Sequence, residues 1–343
     1  MSQQKIRNME EFASFSGVSR PTVSKYFHDP ASVRASTRDQ IEKALERCDY
    51  RPNLFAVNQN RKLTKNIGII VPYVADPFFA EIARRIETLV IASGYRPILL
   101  SSHGDPRLEV ENLESLRSIK PAGALLAPLG RMSDKLAIEA FCRDIPTVNF
   151  DANIEGIGEA FVGHNNSQAT QVMIEYLTRS GEPPVFLEMR TPPNPNAGKR
   201  RKAYIATMER LGHTPHVIQV DGEGWNLEEI GFQGGFQAIK NHELSTNTIF
   251  CSNDRLAIGV LAAAYELGVK VGIGDGCGLR VAGHDNHPFS RFTCPTLTTI
   301  SHNYSSIAAT STETLMSIID SGERPEGRKV LLFDGELIMR ASA

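Results

Sequence analysis

The strongest constraint on the fold is a regular alternation of short apolar runs and amphipathic helical segments between residues 67 and 284. Residues 67–72 are rich in β-branched side chains and end at a proline, as expected of a buried parallel strand. Residues 79–93 repeat apolar positions at helical spacing, and Gly94 follows as a helix stop. Because strands that alternate with helices pair in parallel, the pattern predicts a doubly wound α/β fold.

The same alternation continues through the second half of the chain and predicts two α/β lobes of similar size. The predicted strands are 67–72, 96–100, 122–127, 146–150, 184–187, 216–220, 248–251 and 280–284, and the predicted helices are 79–93, 107–119, 166–180, 199–211, 227–240 and 254–267. Such folds bind ligands at the carboxyl ends of their strands, so we expect a site in the cleft between the lobes.

A short helical segment of different character precedes the lobes. In residues 17–27, Gly17 can supply the positive φ of a tight turn, Ser19 can cap a helix and Pro21 suits its first turn. Helical spacing of apolar residues predicts one helix upstream, behind a possible cap at Asn8, and another downstream that begins near residues 36–37. Together with the segment 17–27 they make three helices, which end near residue 53. The spacing predicts a compact helix-turn-helix headpiece.

Charge is distributed unevenly along the 343 residues. Residues 1–66 carry 12 Lys and Arg against 7 Asp and Glu, a net charge of +5, whereas the rest carries 25 against 32, a net charge of −7. A basic head on an acidic body indicates that only the head binds a polyanion, unless the asymmetry is a chance fluctuation.

Composition favours a cytoplasmic protein without a membrane partner, and a DNA-binding headpiece would make it nucleoid-associated. No run of 18 apolar residues and no signal peptide occur in the sequence. The cysteines are odd in number and scattered, which suits a reducing compartment better than a disulfide framework.

Seven short motifs follow one another along the chain. They are Val18-Ser19 with Thr22-Val23-Ser24, Tyr50-Arg51-Pro52-Asn53, Ile67-Gly68-Ile69-Ile70-Val71-Pro72, Asp76-Pro77-Phe78-Phe79, Ser252-Asn253-Asp254 with Ala257-Ile258-Gly259, Val281-Ala282-Gly283-His284-Asp285 and Pro295-Thr296-Leu297-Thr298-Thr299-Ile300. In this order they resemble the LacI/GalR family of bacterial transcription regulators over nearly the whole chain. The resemblance implies an all-α helix-turn-helix headpiece and an α/β, two-lobed, periplasmic-binding-protein-like core of parallel doubly wound sheets.

The resemblance also implies the domain boundaries. The headpiece is expected at residues 1–52, a hinge helix and linker at 53–66, and an effector-binding and dimerisation core at 67–343. Three crossovers should divide the core into a first lobe of about 67–163 and 297–323 and a second lobe of about 164–296 and 324–343. No leucine-heptad tail follows Ala343, so we expect a homodimer rather than a tetramer.

The family's base-reading positions in the recognition helix correspond here to Arg20, Pro21 and Lys25. Arginine and lysine can bind guanine O6 and N7, although non-specific phosphate binding is the alternative for both residues. Pro21 can read only shape or a methyl group. The remaining expected contacts with double-stranded operator DNA are Ser19, Thr22, Ser24, Arg34, Asn53, Ala56 and Gln59.

The family's effector-binding positions also have counterparts in this chain. They are Phe78, Phe79, Asp151, Arg201, Trp225, Asn253 and Asp285. Carboxylate, amide and guanidinium groups can bind vicinal hydroxyls with paired hydrogen bonds, while an aromatic face covers C–H groups, so a sugar or sugar derivative is the expected effector. Phe79 has the alternative of a core residue. We expect Asp254 to cap its helix, and His103 is either a lining residue or a surface residue.

Catalytic, cofactor and metal motifs are weak by comparison, and we expect no enzyme, no cofactor and no metal. The glycines of 272–278 follow a helix, whereas a dinucleotide loop joins a strand to a helix. His213 and His216 have no glutamate partner, and no Gly-x-Ser-x-Gly motif occurs. The expected function is a ligand-responsive repressor of carbohydrate-metabolism genes; a solute-binding protein of transport and a sugar-processing enzyme are the alternatives.

The hinge yields a first prediction. The family usually carries a leucine seven positions after the hinge proline, and here that position is Gln59. A polar amide cannot wedge between base steps as an apolar side chain does. We predict that Gln59→Leu increases both operator bending and affinity, measured by circular-permutation gel shifts. If wild type and Gln59→Leu give the same mobilities and both indicate strongly bent DNA, Gln59 does not limit the kink. A neighbour such as Leu54 or Val57 would then supply the wedge.

Overall fold

The computed structural model describes residues 4–28, 30–50 and 64–343. The chain divides into two compact units, Met1–Thr64 and Lys65–Ala343. Asn53, Ala56 and Gln59, three of the expected DNA contacts, lie outside the described residues. Among the helices described, none combines the length and the apolar character that a membrane crossing requires.

The first unit contains the three predicted helices, α1 (Met9–Ser16), α2 (Arg20–His28) and α3 (Ala35–Arg47), with the short parallel strands β1 (Gln4–Lys5) and β2 (Cys48–Asp49). A 3-10 turn, Pro30–Ser32, lies between α2 and α3. The Asn8 side chain caps α1 by accepting a hydrogen bond from Glu11 N at 2.9 Å, and Gly17 ends α1 with φ of 66°. Ser19 was expected to cap α2 by accepting a hydrogen bond from a backbone N–H group. Its hydroxyl instead pairs with the Thr22 hydroxyl at 2.9 Å.

A small aromatic core holds this unit together. Phe12, Val23 and Ile41 are fully buried, and the ring of Phe12 stacks on Tyr50 with centroids 4.6 Å apart. Burial of these side chains supplies the packing that short helices need in water.

The second unit begins with a parallel sheet that forms the first lobe. Its elements are β3 (Asn66–Val71), α4 (Pro77–Ala92), β4 (Arg96–Ser101), α5 (Pro106–Ser118), β5 (Gly123–Leu126), a 3-10 turn (Gly130–Met132), α6 (Lys135–Asp144), β6 (Thr147–Phe150) and β7 (Ala160–His164). The strand order is β7-β6-β5-β3-β4, and buried strands carry apolar side chains on both faces. Neither α6 nor β7 was among the elements predicted from periodicity.

The second lobe is a four-stranded parallel sheet in the order β11-β10-β8-β9. Its elements are α7 (Asn166–Ser180), β8 (Val185–Met189), α8 (Asn196–Arg210), β9 (Val217–Val220), α9 (Leu227–Lys240), β10 (Thr248–Cys251), α10 (Asp254–Glu266) and β11 (Arg280–Ala282). Helices α7 and α8 cover one face of the sheet, and α9 and α10 cover the other. The two predicted α/β lobes are therefore confirmed.

The chain then returns to the first lobe and differs there from the expected division. Strand β12 (Thr299–Ser301) leads to α11 (Tyr304–Ser321), which packs on α4, and β13 (Lys329–Phe333) pairs in parallel with β7. The assignment of all residues 324–343 to the second lobe is thus wrong, because β13 completes the first sheet. Only after β13 does the chain cross again, where β14 (Glu336–Ile338) pairs antiparallel with β12.

Helices α9 and α10 approach each other through glycines. A Cβ atom added at Gly259 would lie 2.1 Å from the carbonyl oxygen of Glu228 and 2.4 Å from the nitrogen of Phe232. Both neighbours are backbone atoms, which cannot move aside as a side-chain end can. The closeness of this helix pair therefore depends on the missing side chain.

We predict that Gly259→Ala destabilises the core by about 1–3 kcal/mol, the usual cost of overpacking. Gly198→Ala is the matched control, because Gly198 lies in α8 and a Cβ atom there meets nothing within 4 Å. The control should be neutral or stabilising, since alanine is the better helix former. Urea unfolding followed by circular dichroism measures both. Equal midpoints for the two variants would contradict close packing at Gly259.

Candidate functional site

A cleft lies between the two lobes, at the carboxyl ends of both parallel sheets. Its empty volume is about 730 Å³, the open mouth included. The lining residues are Asp76, Phe78, Asp151, Met189, Pro192, Pro193, Asn194, Ala197, Arg200, Trp225, Leu227, Ser252, Asn253, Asp254, Arg255, Leu256, Asp285, His287, Pro288 and Tyr304. Most of them follow the ends of strands in the two lobes, as the doubly wound fold predicts.

The cleft brings together five of the seven side chains expected to bind an effector. Those five are Phe78, Asp151, Trp225, Asn253 and Asp285. Phe79 is only 1% exposed and packs in the core of the first lobe, so its alternative as a core residue fits the structure. It supports the cleft indirectly, since its ring lies edge-on to Trp225 with centroids 6.1 Å apart.

The prediction that Arg201 binds the effector is wrong, because its neighbour Arg200 lines the cleft and Arg201 does not. The Arg201 side chain points to Glu188, where its Nη1 donates to Oε1 at 2.9 Å. Arg200 is 5% exposed and donates to Asn166 Oδ1 at 3.0 Å, to the Ser252 carbonyl at 2.6 Å and to Asp285 Oδ1 at 2.6 Å. Consecutive helical residues point about 100° apart, so one position decides which arginine reaches the cleft.

Asp285 is a carboxylate of the cleft floor with three close nitrogen partners. Its Oδ1 lies 2.6 Å from Arg200 Nη2, 3.1 Å from His302 Nε2 and 3.3 Å from His284 Nδ1. Burial alone would raise the pKa of Asp285, but the charge of Arg200 and the hydrogen bonds of His284 and His302 hold it well below its usual value. Asp285 is therefore ionised and fixed in direction.

Asp151 is a buried carboxylate with a free acceptor. Asn196 Nδ2 donates to Oδ1 at 2.9 Å, whereas Oδ2 has no hydrogen-bond partner among the described residues. Burial raises the pKa of Asp151 to about 7, against the nearby charges of Lys199 and Arg200. Its φ of 59° is uncommon for a residue with a side chain, and such strain concentrates at functional sites.

Asn253, and not Asp254 as expected, caps helix α10. Asn253 is the N-cap of α10, since its Oδ1 accepts a hydrogen bond from Leu256 N at 2.9 Å. Asp254 is fully buried and accepts bonds from Thr299 Oγ1 at 2.6 Å, Ser290 Oγ at 2.5 Å and His287 N at 2.7 Å. The expectation that Asp254 caps the helix is therefore wrong; its carboxylate ties α10 to β12 and to the segment between β11 and β12.

Polar and aromatic contacts connect the lobes across the cleft. Arg255 of the second lobe donates from Nη1 to Asp76 Oδ2 of the first at 3.0 Å, while its Nη2 binds Glu228 Oε2 at 2.6 Å. The ring of Trp225 stacks on Tyr73 of the first lobe, with centroids 5.1 Å apart and planes at 13°. The two lobes are thus in direct contact across the cleft.

Sequence reasoning missed Arg200, Asp76 and Arg255 as site residues. Asp76 stands in a recognised motif and Arg255 follows the strand-end motif at 252–254, so the position of both at strand ends was the available signal. His103, an open alternative, does not line the cleft; its ring lies edge-on to Tyr73 with centroids 6.0 Å apart. The loop before α8 does line it, through Pro192, Pro193 and Asn194.

The first unit presents the residues expected to contact DNA on its surface. Ser19, Arg20, Pro21, Lys25 and Arg34 are exposed. Thr22 and Ser24 are half-buried. Arg20 pairs with Glu10 on α1, with Nε and Oε2 3.3 Å apart, and both side chains are largely exposed. Exposed ion pairs contribute little to stability, so Arg20 can leave Glu10 and bind another anionic group at low cost.

Two protein-family models match consecutive parts of the chain. Residues 8–53 match the family described as bacterial regulatory proteins, lacI family. Residues 174–343 match the periplasmic binding protein-like domain. The two matches agree with the helix-turn-helix unit and with the lobed α/β core.

Individual relatives extend over nearly all of the chain. The NTD biosynthesis operon regulator NtdR of Bacillus subtilis is 27% identical over 97% of this chain and 99% of its own length. The ribose operon repressor of Escherichia coli is 27% identical over 86% of this chain and 88% of its own. The crystal structure of a Lac repressor dimer bound to operator and the anti-inducer ONPF has the same fold, with a TM-score of 0.81, 23% identity and 98% coverage of both chains. Residues 8–53 thus carry the domain of the lacI family of bacterial regulatory proteins, and the chain as a whole is similar to regulators over nearly its full length.

Proposed function

We propose that this protein is a ligand-responsive, sequence-specific DNA-binding transcriptional regulator that represses carbohydrate-metabolism genes. The observation that carries the proposal is one chain with a helix-turn-helix unit and a two-lobed cleft lined by paired polar groups and aromatic rings. A sugar or sugar derivative is the proposed effector, and a homodimer on operator DNA is the proposed active form.

The exposed face of α2 supports the DNA side of the proposal. Arg20 and Lys25 stand free of the headpiece core, so they can reach base edges in a major groove, while Ser19, Thr22 and Arg34 can bind phosphates. The related Lac repressor structure is a dimer bound to operator. Two copies of the headpiece suit a pseudo-palindromic site, because half-site symmetry mirrors protein symmetry.

The chemistry of the cleft supports a polyhydroxylated effector. Asp285 and Arg200 offer oxygen and nitrogen atoms in fixed directions, Asp151 offers an unpartnered oxygen, and Trp225 and Phe78 offer apolar faces. Sugars are recognised by this combination of groups. One relative named for such a ligand is the ribose operon repressor.

Control of DNA binding would follow from lobe closure. The contacts Arg255–Asp76, Trp225–Tyr73 and Asn196–Asp151 all cross from one lobe to the other. An effector that binds between the lobes changes the balance between the closed arrangement and a more open one. Its effect on DNA affinity is then the coupling free energy between the two sites.

Two other classes of protein use similar cores. A solute-binding protein of transport has no use for the basic helix-turn-helix unit, and a sugar-processing enzyme needs a free acid and base. Asp285 and Asp76 are engaged by arginines and Asp254 by three hydrogen-bond donors, so among these cleft carboxylates Asp151 alone keeps a free oxygen, short of the pair that such an enzyme needs. The curated relatives named above are regulators. A gel shift with DNA from upstream of the gene that encodes this protein separates the classes, because only a regulator should bind that DNA.

We predict that Asp285→Asn abolishes effector binding without loss of DNA binding. A thermal-shift screen of sugars and metabolites with wild type first identifies ligands that raise the unfolding midpoint. Calorimetry with the strongest hit should then show no binding to Asp285→Asn, because the amide loses the charge that holds Arg200. Asp221→Asn is the control, since Asp221 is 83% exposed and pairs with Arg190 at the surface. Full affinity in Asp285→Asn would remove this residue from the site.

We predict that Arg20→Ala costs about 1–3 kcal/mol on cognate DNA and relaxes sequence preference, as expected for a lost bidentate base contact. Cognate fragments are selected by wild type from a random pool, and affinities are measured on these and on random DNA. Lys43→Ala is the control, because Lys43 pairs with Asp39 on α3, outside the recognition helix. Equal weakening on cognate and random DNA would identify Arg20 as a phosphate contact.

A further inference from the structure

Three buried histidines lie beneath the cleft beside the half-buried Asp285, and we call these four residues the imidazole cluster. His164 ends β7, His284 follows β11 and His302 follows β12. All three side chains are buried, and the ring centroids of His164 and His284 lie 3.7 Å and 4.7 Å from that of His302. Beyond the hydrogen bonds of His284 and His302 to Asp285, the proposed binding of an effector and DNA gives no role to this stack of rings.

Three atoms of the imidazole cluster form a nearly equilateral triangle. His302 Nε2 lies 3.1 Å from His284 Nδ1 and 3.1 Å from Asp285 Oδ1, and His284 Nδ1 lies 3.3 Å from Asp285 Oδ1. Tetrahedral zinc, with bonds of about 2.0–2.2 Å to nitrogen and oxygen, holds its ligand atoms about 3.3–3.5 Å apart. The triangle therefore has almost the dimensions of one face of a metal's coordination tetrahedron.

Metal binding would replace the hydrogen bonds within the imidazole cluster. His284 Nδ1 and His302 Nε2 present lone pairs to an ion when the ring protons sit on the opposite nitrogens, His284 Nε2 and His302 Nδ1, which have no hydrogen-bond partner among the described residues. Neither ring nitrogen of His164 has a hydrogen-bond partner within the described part of the chain. A neutral imidazole always carries one N–H group, so His164 buries a donor without an acceptor, an arrangement that costs free energy.

We propose that His284 Nδ1, His302 Nε2 and Asp285 Oδ1 bind a divalent first-row transition-metal ion of the zinc class. Two imidazoles and one carboxylate are a common ligand set for such ions. These three ligand atoms all lie within 4.8 Å of one another. Among the described residues, His164 adds no ligand atom to this group; its ring packs on that of His302, with centroids 3.7 Å apart.

Arg200 competes with the metal for the same oxygen. Its Nη2 donates to Asp285 Oδ1 at 2.6 Å, so a metal must displace this contact or share the carboxylate with a cation. Asn166 and Ser252 retain the guanidinium when the contact is lost. We therefore expect the metal affinity to rise when the positive charge of Arg200 is removed. If Asp285 only held Arg200 in place and did not bind the ion, removal of that charge would not raise the affinity.

Sequence reasoning did not group these residues into a site, because His302 lies 18 positions after His284 and His164 lies 120 positions before it, so no short histidine or cysteine spacing links them. The crossovers between the lobes bring them together, since all three histidines lie at or next to strand ends where the chain passes from one lobe to the other.

The test uses the full chain after chelator treatment, in a background where Cys277 and Cys294 are replaced by serine. Those two thiols are the least buried cysteines and would otherwise bind the probe. Zinc binding is measured by calorimetry and cobalt binding by the visible absorption of tetrahedral cobalt. We expect one ion per chain, affinity roughly tenfold or more lower in His284→Ala and His302→Ala, and severalfold higher affinity in Arg200→Gln.

His216→Ala is the matched control, since His216 lies outside the imidazole cluster and binds Ser245 Oγ through Nδ1 at 2.8 Å. It should bind zinc as the background protein does. His302→Gln keeps a side chain of similar size and serves if the alanine variant does not fold. Absence of a bound ion in the background protein, or equal affinity in His302→Gln and the background protein, would overturn the proposal. Neither result affects the proposed regulation of transcription, which is measured with DNA.

Discussion

The ion pair of Arg200 and Asp285 is the interaction on which the cleft depends. A buried charge is tolerated only when a partner and further hydrogen bonds replace its lost hydration. Arg200 meets this requirement by reaching Asn166 at the start of α7, Ser252 at the end of β10 and Asp285 after β11. One guanidinium thus fixes the relative positions of three elements at the floor of the cleft.

The contacts between the lobes have a different character. Those at Arg255 with Asp76 and at Asn196 with Asp151 are polar, and each of these groups can instead be hydrated when the lobes separate. Each lobe keeps its own apolar core on its own sheet. Lobes that share few buried apolar side chains can move against each other without exposing either core, as polar interfaces between domains generally allow.

Sequence periodicity predicted most of the fold because buried parallel strands and amphipathic helices leave clear apolar patterns. The pattern failed at β13, whose exposed edge position lets polar Lys329 begin a strand of mixed burial. It also could not separate Arg200 from Arg201 in the run 199–202, since both are basic and only the exact helix phase distinguishes them.

The candidate site was predictable where a motif or a predicted strand fixes a strand end, as for Asp285 and Asp151, and unpredictable where distant segments meet. Asn253 and Asp254 are adjacent residues with similar capping ability, and only the three donors around Asp254 decide their roles. The grouping of His284 with His302 depends on the return of the chain from one lobe to the other, which local sequence does not encode.

The position of Trp225 makes this chain its own optical reporter. It is the only tryptophan in the sequence, it belongs to the second lobe, and its indole stacks on Tyr73 of the first. Separation of the lobes would remove that ring and admit water, and indole emission responds to both changes. All tryptophan fluorescence from this protein therefore originates at the junction whose opening and closing matter, without any attached dye.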